Sequence, residues 1–560
     1  MDIGDSKRIV MKIKFIFSIF LVCSMHDTRS NQSENRYFGF FNSVSSYLLS
    51  FQKYFLQKSF PVARPSQKIT INTKENLSLE ENIFQKNRLQ KVTKTLQDSF
   101  GIDAPLKIAF CCSGGGNRAL VGTLGLLSGA AKTKLLDATM YLAGVSGSTW
   151  AIIPYIYQQA CLEKNSMQAI DDLIKYFSHA LSAGSRISLR DYHSLALLPL
   201  NKTDDFLMDL MVQYAYNQDM SLVNLFGPLV GEQNLGFVGD RSLAVRWSEV
   251  APKVLKGESP LPLCMASFRD NFNKYAYFEM SPFESGNNLL GYIPTQYLGS
   301  KFNNGKLDMN GINPEYSLAF YMGVYGSAFA AVVQYLYDAQ ASRNSSVDPL
   351  LFLFDQSAVR NYNPRKSFDF LSVSLVKNKV QELISSLIVE QKADIYAHFI
   401  NYNPSALQGS NDLGLFDAGI GCNFPISALL DRPKREVDLI VMYDSHPGSF
   451  DVKKVYDYAL SQGITFDEKM KNLSIQELGK DSMIVFNDPR THEYVPSVAT
   501  ILYFPTQGID IHEPPYTTFN FKYEVNDVEK LKNITEAALI SNFEIIKDIM
   551  KLLTQKYKNF

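Results

Sequence analysis

The sequence is poor in cysteine, histidine, tryptophan and net charge, and each shortage removes a class of protein. Its six cysteines, Cys23, Cys111, Cys112, Cys161, Cys264 and Cys422, are scattered with no CxxC pair. That argues against a zinc site and against a disulfide scaffold, and leaves them as small buried hydrophobes. Lys and Arg number 55 against 56 Asp and Glu, a net charge of −1. Nucleic-acid binding driven by bulk charge is thereby disfavoured, although a local basic face is not. The seven histidines include none in a recognisable triad motif. With only two tryptophans, the 12% aromatic content is nearly all Phe and Tyr, which suits contact with lipid without requiring it. No internal repeat and no low-complexity tract is present.

What is there fits an ordinary globular protein. Over 560 residues, 46% hydrophobic and 20% charged content supports a large core, in one large or two to three ordinary domains. Short apolar runs at Pro260–Ala266, Val437–Tyr443, Met483–Phe486 and Thr500–Phe504 read as strands. Between them lie helix-compatible stretches, among them the charged Glu80–Phe100 and the apolar Leu318–Tyr337. Strands alternating with helices indicate α/β architecture. Ser541-Asn542-Phe543-Glu544 reads as a capping box. It precedes a helix with Phe543, Ile546, Ile549, Met550, Leu553 and Tyr557 on one side. The acidic pairs Asp171-Asp172 and Asp204-Asp205 read as solvated helix faces, not metal ligands.

The informative stretch runs from Ile108 to Trp150. The apolar run Ile108–Cys112 leads into Gly114-Gly115-Gly116, whose backbone N–H groups can converge on one point. Helix-compatible spacing follows from Ala119 to Ala130. A second apolar strand, Met140–Ala143, runs into Gly144-Val145-Ser146-Gly147-Ser148 and a helix from Thr149. A serine in a sharp strand-to-helix turn is a nucleophile elbow. Taken singly, a glycine triplet is commonly a flexible loop, and the elbow string ends in Ser148 where the general pattern has glycine. Together, within one strand–helix–strand span, they supply backbone donors and a presented hydroxyl, the two parts acyl transfer needs. The candidate base is Asp417, in Leu413-Gly414-Leu415-Phe416-Asp417-Ala418-Gly419; on the residues alone, a turn residue capping a strand end is the better reading. His446, at the end of another predicted strand, reads as a surface-loop histidine or as a second base.

The segments SGGGNRAL, GVSGSTW and FDAGIGCNFP resemble the catalytic domain of the group IV cytosolic phospholipase A2 and fungal phospholipase B family. Further blocks extend the resemblance: Tyr277–Glu284, Leu298–Phe302, Met322–Phe329, Arg435–Ile440 and Thr518–Phe521. It covers roughly Asn76 to the C-terminus. The resemblance implies a central mixed β-sheet flanked by helices, of the patatin-like type, with an inserted cap or lid; a loop such as Tyr402–Asp412 could serve. It implies a Ser–Asp dyad without histidine. Ser146 would be the nucleophile, Asp417 the proton acceptor, and the amides of Gly115 and Gly116 the oxyanion hole. Arg118 would meet the substrate phosphate through its planar fork; the residues alone also allow a surface arginine at a helix start. Asn117 and Ala418 depart from the residues usual in the family. The implied substrate is a glycerophospholipid or lysophospholipid at a membrane or micelle surface, with no cofactor, no metal and no nucleic acid. Rival readings are a lysophospholipase or transacylase with the same dyad, and a non-catalytic lipid-binding protein.

The N-terminus carries Lys7, Arg8, Lys12 and Lys14 ahead of the apolar Phe15–Cys23. That is the order of a secretory signal over 1–24, cleaved after Ser24 and leading to export. The alternative is an uncleaved apolar tail on a cytoplasmic, peripherally membrane-associated protein. The run falls short of the ~20 apolar residues of a membrane span. Residues 25–75 read as a leader: an amphipathic helix within Tyr37–Phe60, able to lie on a membrane surface or to pack on the main domain, then a connector. This leader is too short for the calcium-binding lipid-docking domain of some family members, so calcium is not an expected requirement. Residues 76–560 read as one catalytic domain.

Overall fold

The short apolar runs become the inner strands of one large sheet. The computed structural model describes residues 65, 69–72, 76–182, 221–269, 275–303, 305–328, 397–400, 412–447, 449–471, 473, 482–518, 520 and 522–557. The strands are β1 (Ile108–Cys112), β2 (Thr139–Val145), β3 (Leu261–Arg269), β4 (Tyr275–Met280), β5 (Glu284–Asn287) and β6 (Gly291–Pro294). Then come the small pair β7 (Phe302–Asn303) and β8 (Lys306–Leu307), β9 (Ala397–Ile400), β10 (Asp412–Asp417), β11 (Leu439–Asp444), β12 (Ile484–Phe486) and β13 (Thr500–Pro505). The main sheet runs β12-β13-β11-β1-β2-β3-β4-β5-β6, with β10 pairing both β3 and β9. From β13 to β3 the pairings are parallel; the flanking pairs are antiparallel. Every residue of β1, β2, β11 and β13 is buried, as a parallel sheet covered on both faces requires.

The helices that cover it are α1 (Leu79–Phe100), α2 (Gly116–Lys132), α3 (Thr149–Ile156), α4 (Ser166–Ser182), α5 (Leu222–Leu235) and α6 (Trp247–Val254). They continue with α7 (Leu318–Tyr325), the short α8 (Ser427–Leu430), α9 (Ser449–Ser461), α10 (Val525–Ser541) and α11 (Phe543–Leu553). The expected mixed sheet flanked by helices is thus the observed fold. α1 starts where Ser78 accepts from the Glu81 N–H and stops at Gly101, whose φ of 66° is left-handed. It buries Phe84, Val92, Leu96 and Phe100, a four-residue apolar spacing. α2, buried from Gly116 to Ala131, is packed between α4 and α10. Both tryptophans are fully buried, and the Trp150 indole N–H donates to the Met322 carbonyl at 3.1 Å. Cys111, Cys112, Cys264 and Cys422 are free and buried, and Cys161 is half-buried.

One local expectation fails. Ser541 is the last residue of α10, and the Asn542 side chain caps nothing at the start of α11. The preceding helix runs straight up to the would-be box, so Ser541 Oγ bonds back to the Ala538 carbonyl instead. The apolar face of α11 forms as expected, burying Ile546, Ile549, Met550 and Leu553. The signal segment, the leader helix, the continuation of α7 beyond 328, Asp204-Asp205 and the lid loop up to 411 lie outside the described residues.

Buried ion pairs tie the sheet's far edge to α1. Arg435 grips Glu81 through Nε and Nη2 at 2.7 and 2.9 Å, and Glu279 of β4 through both terminal nitrogens at 2.6 Å each. Arg432 pairs with Glu284 of β5 at 2.8 Å and stacks on Tyr292 of β6, 3.8 Å from its ring centre. The blocks Arg435–Ile440 and Tyr277–Glu284 therefore meet in space. Arg88 on α1 donates to five carbonyls, those of Thr139, Gly257, Glu258, Leu136 and Asp137. Residues Val62–Phe560 form one compact unit.

Candidate active site

Parallel strands β1, β2 and β11 end on the same side, and their carboxyl ends carry the residues singled out from sequence. β1 runs into Ser113 and the glycine loop, β2 into Ser146, and β11 into Ser445 and His446. Asp417 arrives by register. β3 pairs with β2 only as far as Met265, opposite Val145. Beyond that point its edge is taken by β10, whose last residue, Asp417, pairs with Ala266. Adjacent positions on β3 therefore hold the residue before Ser146 and Asp417 itself, about 3.3 Å apart along the strand. That is how two residues 271 positions apart come to share a 2.8 Å hydrogen bond from Ser146 Oγ to Asp417 Oδ2.

Ser146 has φ of 51°, a left-handed backbone that a residue with a side chain adopts only under constraint. Ser148 supplies part of the constraint. Its hydroxyl accepts from the Val145 N–H at 2.9 Å and lies 2.8 Å from the carbonyls of both Cys112 and Val145. Thr149 Oγ1 donates to the Ser146 carbonyl at 2.6 Å. The departure from glycine at 148 is thus a strut within the elbow. Ser148→Ala is expected to cost about 1–3 kcal/mol of stability, read as a lower denaturant midpoint; an unchanged midpoint would mean the turn needs no strut. Gly147 has no such freedom, since a Cβ there would collide with the Gly116 carbonyl.

The glycine loop is clamped from behind. The Gly114 N–H donates to Asn423 Oδ1 at 3.0 Å, and Asn423 Nδ2 donates to the Gly114 carbonyl at 3.2 Å. The Ser445 hydroxyl donates to the same carbonyl. Gly115 takes φ of 142°, and a Cβ there would lie 2.6 Å from Ser445 Oγ. Neither Gly115 nor Gly116 donates its amide to an acceptor among the described residues. Both stand at the N-terminus of the 17-residue α2, where free N–H groups and the helix dipole favour negative charge. Asn423 and Asp444 are functional candidates that sequence reasoning missed. Asn423 sits six positions past Asp417, and only knowledge of the loop it clamps would mark it. Asp444 accepts from Tyr503 Oη at 2.7 Å and the His446 N–H at 2.9 Å. Burial pushes its carboxyl up to about 6.

Asp417 both caps and bonds. Its Oδ1 accepts from the Gly419 N–H at 2.9 Å, the turn-capping reading, while Oδ2 takes the serine. Its own N–H donates to Ser327 Oγ at 2.9 Å. Burial pushes the carboxyl up to about 7, against the pull of the Gly419, Ser146 and Ala328 hydrogen bonds. A carboxylate with that affinity can take a proton from a hydroxyl and return it near neutral pH. No described histidine bonds to Ser146 or Asp417.

Arg118 is not a surface arginine: it is fully buried. Its fork is spent inside the protein. Nε donates to the Ser445 carbonyl at 2.7 Å, Nη1 to the Tyr516 carbonyl at 2.5 Å and more weakly to that of Ile511, and Nη2 to Thr518 Oγ1 at 3.1 Å. Nη2 also meets His446 Nδ1 at 3.0 Å. No described carboxylate pairs with it within 4 Å. His446 is half-buried beside the site, not on an open surface loop; burial, then Arg118 and His512, hold its imidazole below the ordinary value. Gly115, Arg118, Ser146, Asp417, Asn423, His446 and Thr518 line one cavity of about 210 Å³. Among the described residues no three His, Cys, Asp or Glu side chains form a group that could hold a metal.

Comparison with known proteins accords with this geometry. A family model described as the lysophospholipase catalytic domain matches residues 108–504. Human cytosolic phospholipase A2 zeta is 26% identical over 550 residues, 86% of this chain and 62% of that one. Mouse cytosolic phospholipase A2 gamma is 30% identical over 233 residues, 40% of this chain and 34% of that one. This chain therefore spans less than two thirds of the length of these relatives. The solved structure of human GIVD cytosolic phospholipase A2 superposes with a TM-score of 0.65 at 20% identity, covering 88% of this chain and 69% of that one. The shared fold and a family match running from the start of β1 into β13 make this chain a member of the lysophospholipase catalytic domain family.

Proposed function

We propose that this chain is a serine esterase that hydrolyses fatty-acyl esters of glycerophospholipids, with residues 76–560 as the catalytic domain. The observation that carries the reading is the 2.8 Å bond from Ser146 Oγ to a buried Asp417, beside two backbone amides with no acceptor among the described residues. Asp417 accepts the Ser146 proton as Oγ attacks the ester carbonyl carbon. The carbonyl oxygen, now an anion, is held by the amides of Gly115 and Gly116. The intermediate collapses, the alkoxide of the departing lysophospholipid takes the proton from Asp417, and an acyl-Ser146 ester remains. Water then attacks that ester as Asp417 takes its proton; the acyl–Oγ bond breaks, Asp417 returns the proton to Ser146 Oγ, and fatty acid leaves. Arg118 supplies positive charge toward the substrate phosphate; with all its donors engaged, it acts through its field.

The family model's own description favours a second reading, in which the substrate is a lysophospholipid. One experiment separates them: fatty-acid release in EGTA from phosphatidylcholine and from lysophosphatidylcholine, with wild type and Ser146→Ala. Release is expected to fall by about 10³-fold or more in the variant, and the ratio of the two substrates names the activity. Release from neither substrate, with lipid still bound, would replace the esterase with a lipid-binding protein. For location, the names of the relatives favour the cytoplasmic, peripherally membrane-bound reading over export. No described helix is long and apolar enough to cross a membrane. N-terminal sequencing of protein recovered outside cells would restore the export reading.

A further inference from the structure

The difficulty Arg118 poses is that a guanidinium with no carboxylate partner sits at the cavity, yet offers the cavity no N–H. Its five donors end on the carbonyls of Ser445, Tyr516 and Ile511, on Thr518 Oγ1 and on His446 Nδ1. Two of those acceptors can pass the charge on. An imidazole that accepts at Nδ1 carries its proton at Nε2. A hydroxyl that accepts at Oγ keeps its own hydrogen to donate. His446 Nε2 has no hydrogen-bond partner among the described residues, and both His446 and Thr518 line the cavity with Ser146. Hydrogen bonds in series polarise one another, so each outward donor is strengthened by the guanidinium behind it.

We propose that the Nε2–H of His446 is the direct hydrogen-bond donor to the substrate's phosphate, assisted by the Thr518 hydroxyl, with Arg118 acting one bond behind them. This rests on the esterase reading for the identity of the substrate. Four charged or titratable groups face the imidazole. Arg118 lies against Nδ1, and His512 stands edge-on at 5.9 Å between ring centres. The Asp444 carboxylate receives the His446 backbone N–H. Asp451 also lines the cavity, but is paired with Lys454 at 3.3 Å. Burial together with Arg118 and His512 keeps the ring neutral at neutral pH, the state in which Nδ1 can accept and Nε2 can donate. His446 is then a specificity residue: it selects acyl esters that carry a phosphate.

The test compares wild type with His446→Phe, which keeps a flat ring without N–H or acceptor, and His446→Gln, which keeps a donor. Each hydrolyses lysophosphatidylcholine and the monoacylglycerol of the same acyl chain. The preference for lysophosphatidylcholine in kcat/KM is expected to fall by about tenfold or more in His446→Phe, mostly through KM, with His446→Gln recovering part of it. An unchanged preference in His446→Phe overturns the proposal. A second readout needs no chemistry: in a Ser146→Ala background, binding of decylphosphocholine should weaken about tenfold with His446→Phe while decyl maltoside binds as before. Equal loss for both ligands would mark a purely structural role and overturn the assignment. Inorganic phosphate is the third arm. Tight, His446-dependent binding of inorganic phosphate alone would make this a free-phosphate site and overturn the headgroup assignment. If wild type cleaves neither ester but binds decylphosphocholine through His446, the esterase reading falls and this one stands. Cleavage with an unchanged preference gives the reverse.

Discussion

Asp417→Asn is expected to reduce acyl-ester hydrolysis by about 10³-fold at pH 8, with the fold intact. The amide keeps an oxygen for the Gly419 N–H but cannot accept the Ser146 proton, and removal of a positioned base typically costs about 10²–10⁴ in rate. The wild-type pH profile should show the same group. Asp417 must be ionised to act, and burial has pushed its carboxyl up to about 7. So kcat/KM should rise with pH and level off above about 7, with no histidine acting as the base. Stability should run the other way. The unfolded carboxyl ionises near its ordinary value of 3.8, while the folded one keeps its proton until about 7. The unfolded state therefore binds fewer protons across that window, and folded stability contributed by this group falls as pH rises through it. Asp417→Asn should then be more stable than wild type at pH 8, by up to about 4 kcal/mol, and close to it at pH 4. A variant that loses activity and stability together at pH 8 would point to a damaged fold and not to a missing base.

Arg435→Met is expected to have the largest effect on stability. Arg435 and Glu81 are fully buried and Glu279 is 3% exposed, with four charge-assisted bonds among the three. Removing the cation leaves two carboxylates facing each other away from water, which typically costs about 3–5 kcal/mol. That is a large part of a domain's usual margin, so the single variant should appear mainly in the insoluble fraction. The companion triple variant, Glu81→Gln, Glu279→Gln and Arg435→Met, removes the stranded charges and should recover soluble protein and most of the melting temperature. Since these residues lie away from the cavity, recovered protein should also recover activity. A soluble, fully stable Arg435→Met would show that water reaches the two carboxylates.

Much of the fold was legible because its inner strands are short apolar runs between turn residues. Ile108–Cys112, Met140–Ala143 and Thr500–Phe504 fall inside β1, β2 and β13. The elbow was legible for the same reason: Ser146 follows such a strand directly. Asp417 could be flagged as a strand-end acid, but its role depends on β3 outlasting β2 by enough residues to pair with β10. No local pattern encodes that. The environment of Arg118 was illegible, because its partners Ser445, Tyr516 and Thr518 lie more than 320 positions away. The tripeptide Asp444-Ser445-His446 looked like a loop for the same reason. The capping box at Ser541 failed because the signal for a helix start is the same four residues whether or not another helix ends on them.

The most direct test is covalent labelling with a fluorophosphonate, followed by peptide mapping, on wild type, Ser146→Ala and Asp417→Asn. A single adduct on Ser146 is expected in wild type, forming faster as pH rises toward 8, absent in Ser146→Ala and at least about 10²-fold slower in Asp417→Asn. Labelling of Ser146 at the wild-type rate in Asp417→Asn, or an adduct on any other residue, would contradict the account.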